Sequence, residues 1–259
     1  MRPHFMIDKE LLTSYFTSNQ NTYWPCSTCS NGYLMINEDT FFSEETSASQ
    51  KTQSHYGWDP ESISLVYSCI FKCSNNNCNE QFASSGHGCL DWDIEEDDHG
   101  IPQQVYSPCV EPYYFYPSLK IIDIPENVPD DITNQLNKSF ELFFSSPSAA
   151  INHARSALEL ILNYLKVPKT TINNKKKRVK INLHNRIDKL AKQHSELKEL
   201  LLAIKWIGNE GSHPEKSLTK NNVIDLYEIL EHVLSELFEN KSKSILAKAK
   251  KINKAKGIK

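Results

Sequence analysis

Cys26-Ser-Thr-Cys29-Ser-Asn-Gly32 is answered by Cys73-Ser-Asn-Asn-Asn-Cys78, and these two stretches decide how the N-terminal half folds. Gly32 allows a tight bend after the first pair, and the asparagines of the second suit a turn with positive φ. Two turns that each present a pair of thiolates supply the four soft ligands of a tetrahedral zinc ion. The spacing therefore predicts structural Zn2+ on Cys26, Cys29, Cys73 and Cys78, within a β-rich zinc ribbon. Buried free cysteines are the alternative. Cys69 is a rival ligand, but in a strand it stands about 13 Å from Cys73 at about 3.3 Å per residue, so it reads as a buried thiol. Cys89, Cys109 and His87 read as structural or incidental. Four protein ligands leave no open position on the ion, which argues against a metal-dependent hydrolase.

Around these pairs, residues 1–20 read as a short helical or irregular lead-in through Leu11, Leu12, Tyr15 and Phe16. Residues 41–62 are rich in Ser, Thr, Gln and Glu and read as a loop. From Ile63 to Lys72 the β-branched and aromatic residues predict a strand. The acidic run 91–98 reads as a solvated loop. Residues 101–129 hold six prolines with Tyr113, Tyr114, Phe115 and Tyr116, and read as an extended connector.

Charge divides the chain. Residues 1–147 hold 21 Asp/Glu and 6 Lys/Arg, a net of −15, whereas residues 148–259 hold 11 and 23, a net of +12. All seven cysteines lie in the acidic part. Such asymmetry points to two domains that meet different partners or each other. No apolar run approaches the roughly 18 residues of a membrane span, and the N-terminus carries no apolar leader. The expectation is a cytoplasmic protein with no membrane partner, where clustered cysteines signal metal rather than disulfides.

Beyond Pro129 the apolar period becomes 3.6. Asp130 and Asp131 precede a helix through Ile132, Leu136, Phe140, Phe143 and Phe144. Ser146-Pro147 opens a second, through Ala150, Ile151, Ala154, Leu158, Ile161, Leu162 and Leu165. After a basic linker over residues 169–180, a short helix uses Leu183, Ile187 and Leu190. Another runs from about Glu196 to Ile207 and stops at Gly208 and Gly211; Thr219 caps the last. Five helices with short links predict a bundle. The expected fold class is α+β: a zinc ribbon with its connector over 1–124, an all-α bundle over 125–240, and a basic tail over 241–259.

Two patches of the helical part suit a site. Arg155 and Glu159 lie four apart on one flank of the second helix, and Lys205, Asn209 and His213 cluster at a glycine-rich helix end. The order Ala154-Arg155-x-x-Leu158-Glu159, then Gly208-Asn209-Glu210-x-x-His213-Pro214, then a capped final helix resembles a bacterial domain family of unknown function placed among the HEPN-like helical bundles. Members of that family are often preceded by a zinc ribbon and sit beside restriction and anti-phage genes. The resemblance implies a defence role and a homodimer; active HEPN domains cleave RNA without metal, using an Arg and a His roughly four to six residues apart. Here no Arg precedes His213 at that distance, and seven residues separate it from Lys205. The implied roles are His213 as acid/base, Arg155 with Lys205 on phosphate charge, and Asn209 beside them. The structural alternative is an Arg155–Glu159 ion pair, with Asn209 and His213 capping a helix end.

Lys175, Lys176, Lys177 and Arg178, together with the tail lysines that include Lys250 and Lys251, form basic segments able to hold a phosphate backbone. A solvated tail, or one docked on an acidic surface, is the other reading. Two functions follow: a nucleic-acid-associated defence protein that binds RNA or DNA and is a candidate ribonuclease, or a non-catalytic interaction subunit of a defence or restriction complex. A protein encoded in the same operon is a candidate partner.

Overall fold

The computed structural model describes residues 7, 9–20, 22–190, 194–211, 218–239 and 252–254. The chain divides into two compact units, Met1–Ile121 with Phe140–Ser145, and Ile122–Ser139 with Ser146–Lys259.

The N-terminal unit begins with a short helix α1 (Lys9–Thr13) and is built on β1 (Leu34–Glu45), β2 (Ser64–Cys73), β3 (Gln81–Glu96) and β4 (Pro102–Tyr116). They form one antiparallel sheet in the order β1-β2-β3-β4, each strand beside its sequence neighbour. A helical turn, α2 (Ser47–Gln50), and a 3-10 turn at Pro60–Ser62 lie between β1 and β2. The strict alternation of β2 explains its place in the middle. Leu65, Tyr67, Cys69, Phe71 and Cys73 are buried, while Ser64, Val66, Ser68 and Lys72 are exposed. Trp24, Leu34, Phe71 and Phe82 form the core, and Phe16, Phe115 and Phe144 pack edge-on or tilted around Trp24.

The sheet overturns part of the expected fold class. The segment read as a connector is largely β4, whose Pro102, Pro108 and Pro112 are tolerated because β4 is an edge strand. Residues 91–96 of the acidic run are the end of β3, where Trp92↔Tyr106 and Ile94↔Gln104 continue the pairing with β4 beyond the last β2 partner, Cys89. Asp97 and Asp98 lie in the loop that follows. The segment read as a loop from residue 41 begins as β1, which runs on to Glu45. A four-stranded sheet thus replaces the small ribbon and connector.

The C-terminal unit is not all-α. Among the described residues its main helices are α3 (Asp130–Glu141), α4 (Pro147–Tyr164), α5 (Leu183–Asp188), α6 (Leu197–Glu210) and α7 (Lys220–Phe238), and a two-stranded hairpin of β5 (Thr170–Ile172) and β6 (Arg178–Lys180) stands between α4 and α5. The hairpin stands where a basic linker was expected. Helix α4 turns Ala150, Ile151, Ala154, Ala157, Leu158, Ile161 and Leu162 inward, and packs on α6 and α7. Helix α7 buries Val223, Leu226, Leu230, Val233 and Leu234 and starts at Thr219, whose backbone N–H donates to Asn222 Oδ1 at 3.0 Å. The protein is therefore mixed α+β, with a four-stranded antiparallel sheet in its N-terminal unit and a mainly helical C-terminal unit that carries its own hairpin.

Candidate functional site

The two cysteine turns meet at one end of the sheet because of register. Leu34, the first residue of β1, pairs with Cys73, the last of β2, so the loop entering β1 lies beside the loop joining β2 to β3. Both turns are built alike. The Cys26 N–H donates to Gly32 O at 2.8 Å and the Cys73 N–H to Glu80 O at 2.9 Å. The residue after the second cysteine of each pair is left-handed, Ser30 with φ 53° and Asn79 with φ 52°. Gly32 lies in the bend expected of it and meets a second need besides. A Cβ there would lie 2.7 Å from Cys73 Sγ and 2.9 Å from the Asn75 nitrogen, so only glycine lets the turns close together. Ser74 N–H donates to Tyr33 O at 2.8 Å, and Tyr33 N–H to Ser74 Oγ at 3.0 Å, which zips them.

The sulfurs of Cys26, Cys29, Cys73 and Cys78 all lie within 4.8 Å of one another. Cys26 and Cys78 are 3.8 Å apart, and Cys29 and Cys73 3.7 Å. A tetrahedron around an ion bonded at about 2.3 Å has an edge of about 3.8 Å. These four cysteines could hold a metal ion. Burial raises Cys29, but the Asn31 N–H, Asn75 Nδ2 and the neighbouring thiols outweigh it and hold Cys29 down to about 6. Cys73 is pushed up to about 12 by burial, with Cys26 and Cys29 adding to it. Sulfurs this close titrate against each other, and a cation among them relieves the conflict. Cys69 stands outside the group, buried on the inner face of β2 and pushed up to about 12 by that burial.

In the C-terminal unit the structure brings Arg155, Asn209 and Lys205 together. Arg155 Nη1 donates to Asn209 Oδ1 at 2.8 Å and to Gly208 O at 3.4 Å. No Arg155–Glu159 ion pair forms among the described residues; the guanidinium reaches across to α6 instead. Helix α6 runs through Gly208 rather than stopping there, continues to Glu210 and ends at Gly211, its C-cap; both glycines also let it approach α4. A Cβ on Gly208 would sit 3.1 Å from Arg155 Cδ, and one on Gly211 2.9 Å from Ile151 Cγ2. Lys205 is buried with its Nζ 3.1 Å from the centre of the Trp206 ring. Burial, then Arg155, holds its ammonium below the ordinary range. His213 lies outside the described residues, as do Lys250 and Lys251.

Lys175, Lys176 and Lys177 occupy the turn of the β5–β6 hairpin and Arg178 opens β6, all exposed. Asn173 Oδ1 accepts from the backbone N–H groups of Lys175 and Lys177, both at 3.0 Å, and Lys176 is left-handed with φ 56°. Arg186 was missed. It falls in the helical stripe of Leu183, Ile187 and Leu190, and a charge at an apolar-stripe position was the available signal.

Two family models match the chain: a domain of unknown function (DUF8608) over residues 14–115, and a domain of unknown function (DUF4145) over residues 137–255. No curated protein and no solved structure matches it. Among the described residues no helix is long and apolar enough to cross a membrane.

Proposed function

We propose that this chain is a nucleic-acid-associated protein of a bacterial anti-phage system, with a zinc ion on Cys26, Cys29, Cys73 and Cys78 that holds the N-terminal unit in shape. The observation that carries the nucleic-acid reading is the β5–β6 hairpin. Residues 169–180 contain six cations, Lys169, Lys175, Lys176, Lys177, Arg178 and Lys180, and no carboxylate. Its turn is locked by Asn173, so the charges are presented on a fixed support rather than on loose chain. Thiolate ligands and tetrahedral sulfur spacing favour zinc among divalent ions. The defence setting rests on the family resemblance of the Arg155 and His213 segments, as does a homodimer through the C-terminal unit.

Ribonuclease chemistry is the finer form of this reading. His213 would move the proton, and Arg155 with Lys205 would stabilise charge on the phosphate while Asn209 holds Arg155 in place. A second reading, a non-catalytic subunit that docks a protein encoded in the same operon, is favoured by the exposed Trp92, Ile94, Ile101 and Tyr106 of the β3–β4 arm.

The test is RNA and DNA binding by the full chain across a salt series. Replacing Lys175, Lys176, Lys177 and Arg178 by serine is expected to weaken binding and flatten the salt dependence by roughly 0.7–0.9 per lost phosphate contact. Binding with an unchanged slope would move the hairpin out of the interface. An RNA-cleavage assay of wild type against His213→Ala decides the catalytic form.

A further inference from the structure

Arg186 is only 4% exposed, on a short helix whose Leu183 and Ile187 are also buried. Its Nη2 donates to Asn163 Oδ1 at 2.8 Å and to Val167 O at 3.3 Å, which pins the guanidinium beside the end of α4. Its Nε is buried with no hydrogen-bond partner. Burial holds the group below its ordinary range, and Glu159 is the carboxylate that opposes this, yet no ion pair joins the two among the described residues. A buried guanidinium N–H without a partner is expensive, and proteins keep such groups where something else completes them.

The space beside it is strongly cationic. Two cavities share Glu159, Lys180 and Arg186 in their walls. One, of about 310 Å³, extends to Arg155 and Asn182; the other, of about 440 Å³, extends to Asn163 and Lys169. Four cations, Arg155, Lys169, Lys180 and Arg186, thus border the space against one carboxylate. Volumes of this order take a small organic ligand rather than a bare ion. A guanidinium charge held in place, with lysines around it, suits phosphate oxygens.

The geometry points to a phosphate-binding cradle between α4, β6 and α5, with Arg186 as its anchor and Lys180 at its mouth, for the phosphate of a nucleotide. Lys180 is on the strand that begins at Arg178, so the basic hairpin leads a polyanion to the cradle. The cradle rests on the nucleic-acid reading for the source of the phosphate, but not for the phosphate itself.

The test titrates full-length protein with adenosine monophosphate, with adenosine and with a short single-stranded RNA. The monophosphate is expected to bind at least about tenfold more tightly than adenosine, and Lys180→Ala to remove most of that difference. Arg186→Gln should do the same; where it loses the thermal transition, exposed Lys180 carries the test alone. A Lys180→Ala loss of about tenfold on RNA as well identifies the phosphate as that of a chain. Monophosphate binding without any RNA binding keeps the cradle and removes the nucleic-acid reading. RNA binding that survives Lys180→Ala, with no preference for the monophosphate over adenosine, overturns the cradle and leaves that reading standing.

Discussion

Arg155 on α4 donates to the side-chain oxygen of Asn209 on α6 at 2.8 Å, and the bond spans the same helix pair that Gly208 and Gly211 bring close together. The two glycines do not have equal demands on them. At Gly208 the nearest atoms belong to the flexible Arg155 side chain, at 3.1 to 3.3 Å. At Gly211 they are the branched Ile151 side chain at 2.9 Å and the Ser148 carbonyl at 3.3 Å. Gly208→Ala is therefore expected to be near neutral, because a helix gains up to about 1 kcal/mol from alanine. Gly211→Ala should cost about 1–3 kcal/mol, the usual range for overpacking. Urea unfolding of the two variants measures the difference; equal effects would mean the α4–α6 contact is looser than these distances require.

Metal removal tests the cysteine centre. Protein purified without chelator is expected to hold about one zinc per chain, and stripping it should unfold the turns that Gly32 and Ser74 hold together. Protons compete with the metal for thiolate, so release is expected as pH falls and rebinding as it rises. Gly32→Ala directs a methyl group at Cys73 Sγ and should lower metal content without removing a ligand. Elemental analysis that finds no metal, or full metal in Gly32→Ala, contradicts this account.

Cys89 and Cys109 face each other across β3 and β4 with sulfurs 3.2 Å apart. Mild oxidation by diamide is expected to join them, each thiol giving up a hydrogen to the reagent. Burial, then Cys89, pushes Cys109 up to about 12, so the rate should rise with pH. Peptide mapping of zinc-loaded protein checks the pairing, and Cys89→Ser should abolish it. A disulfide that instead uses Cys69 would contradict the strand register.

What was legible in the sequence follows from how local each cause is. Cysteine pairs act within a turn, so Cys26, Cys29, Cys73 and Cys78 could be read off their spacing. Strand β2 was legible because alternate burial writes itself into alternate hydrophobicity. Strand β4 was not, since its prolines forbid a central strand and only the sheet order reveals that it is an edge. The outer part of β3 is exposed on both faces from Asp91 to Glu96, and its brief alternation of Trp92 and Ile94 with Asp91, Asp93 and Glu95 was outweighed by the acidic charge, which reads as solvated chain. The hairpin of β5 and β6 hid in the same way, exposed throughout. Gly211 was legible as the end of α6, but the role of Gly208 was not: whether glycine ends a helix or admits a neighbour depends there on Arg155 of α4, about fifty residues away.

Ser139 and Tyr227 form a buried pair within the C-terminal unit. Ser139 Oγ donates to Ala150 O at 2.6 Å and therefore accepts from the Tyr227 hydroxyl, 2.7 Å away. Both residues are essentially inaccessible to water. Tyr227→Phe keeps the ring and removes that donor, so it should cost about 1 kcal/mol at neutral pH. Burial raises the Tyr227 hydroxyl above its ordinary range, and the Ser139 bond offsets only part of this. A group whose folded pKa is raised contributes its stability below the unfolded value, near 10 for tyrosine, and loses it as pH rises further. The stability difference between wild type and Tyr227→Phe is therefore expected to hold from neutral pH to about 9 and then to shrink as the unfolded chain ionises. Denaturant unfolding of the two proteins at matched pH values isolates this group, because the other tyrosines are common to both. A difference that stays constant through pH 10 and above would mean the hydroxyl is not held protonated by burial.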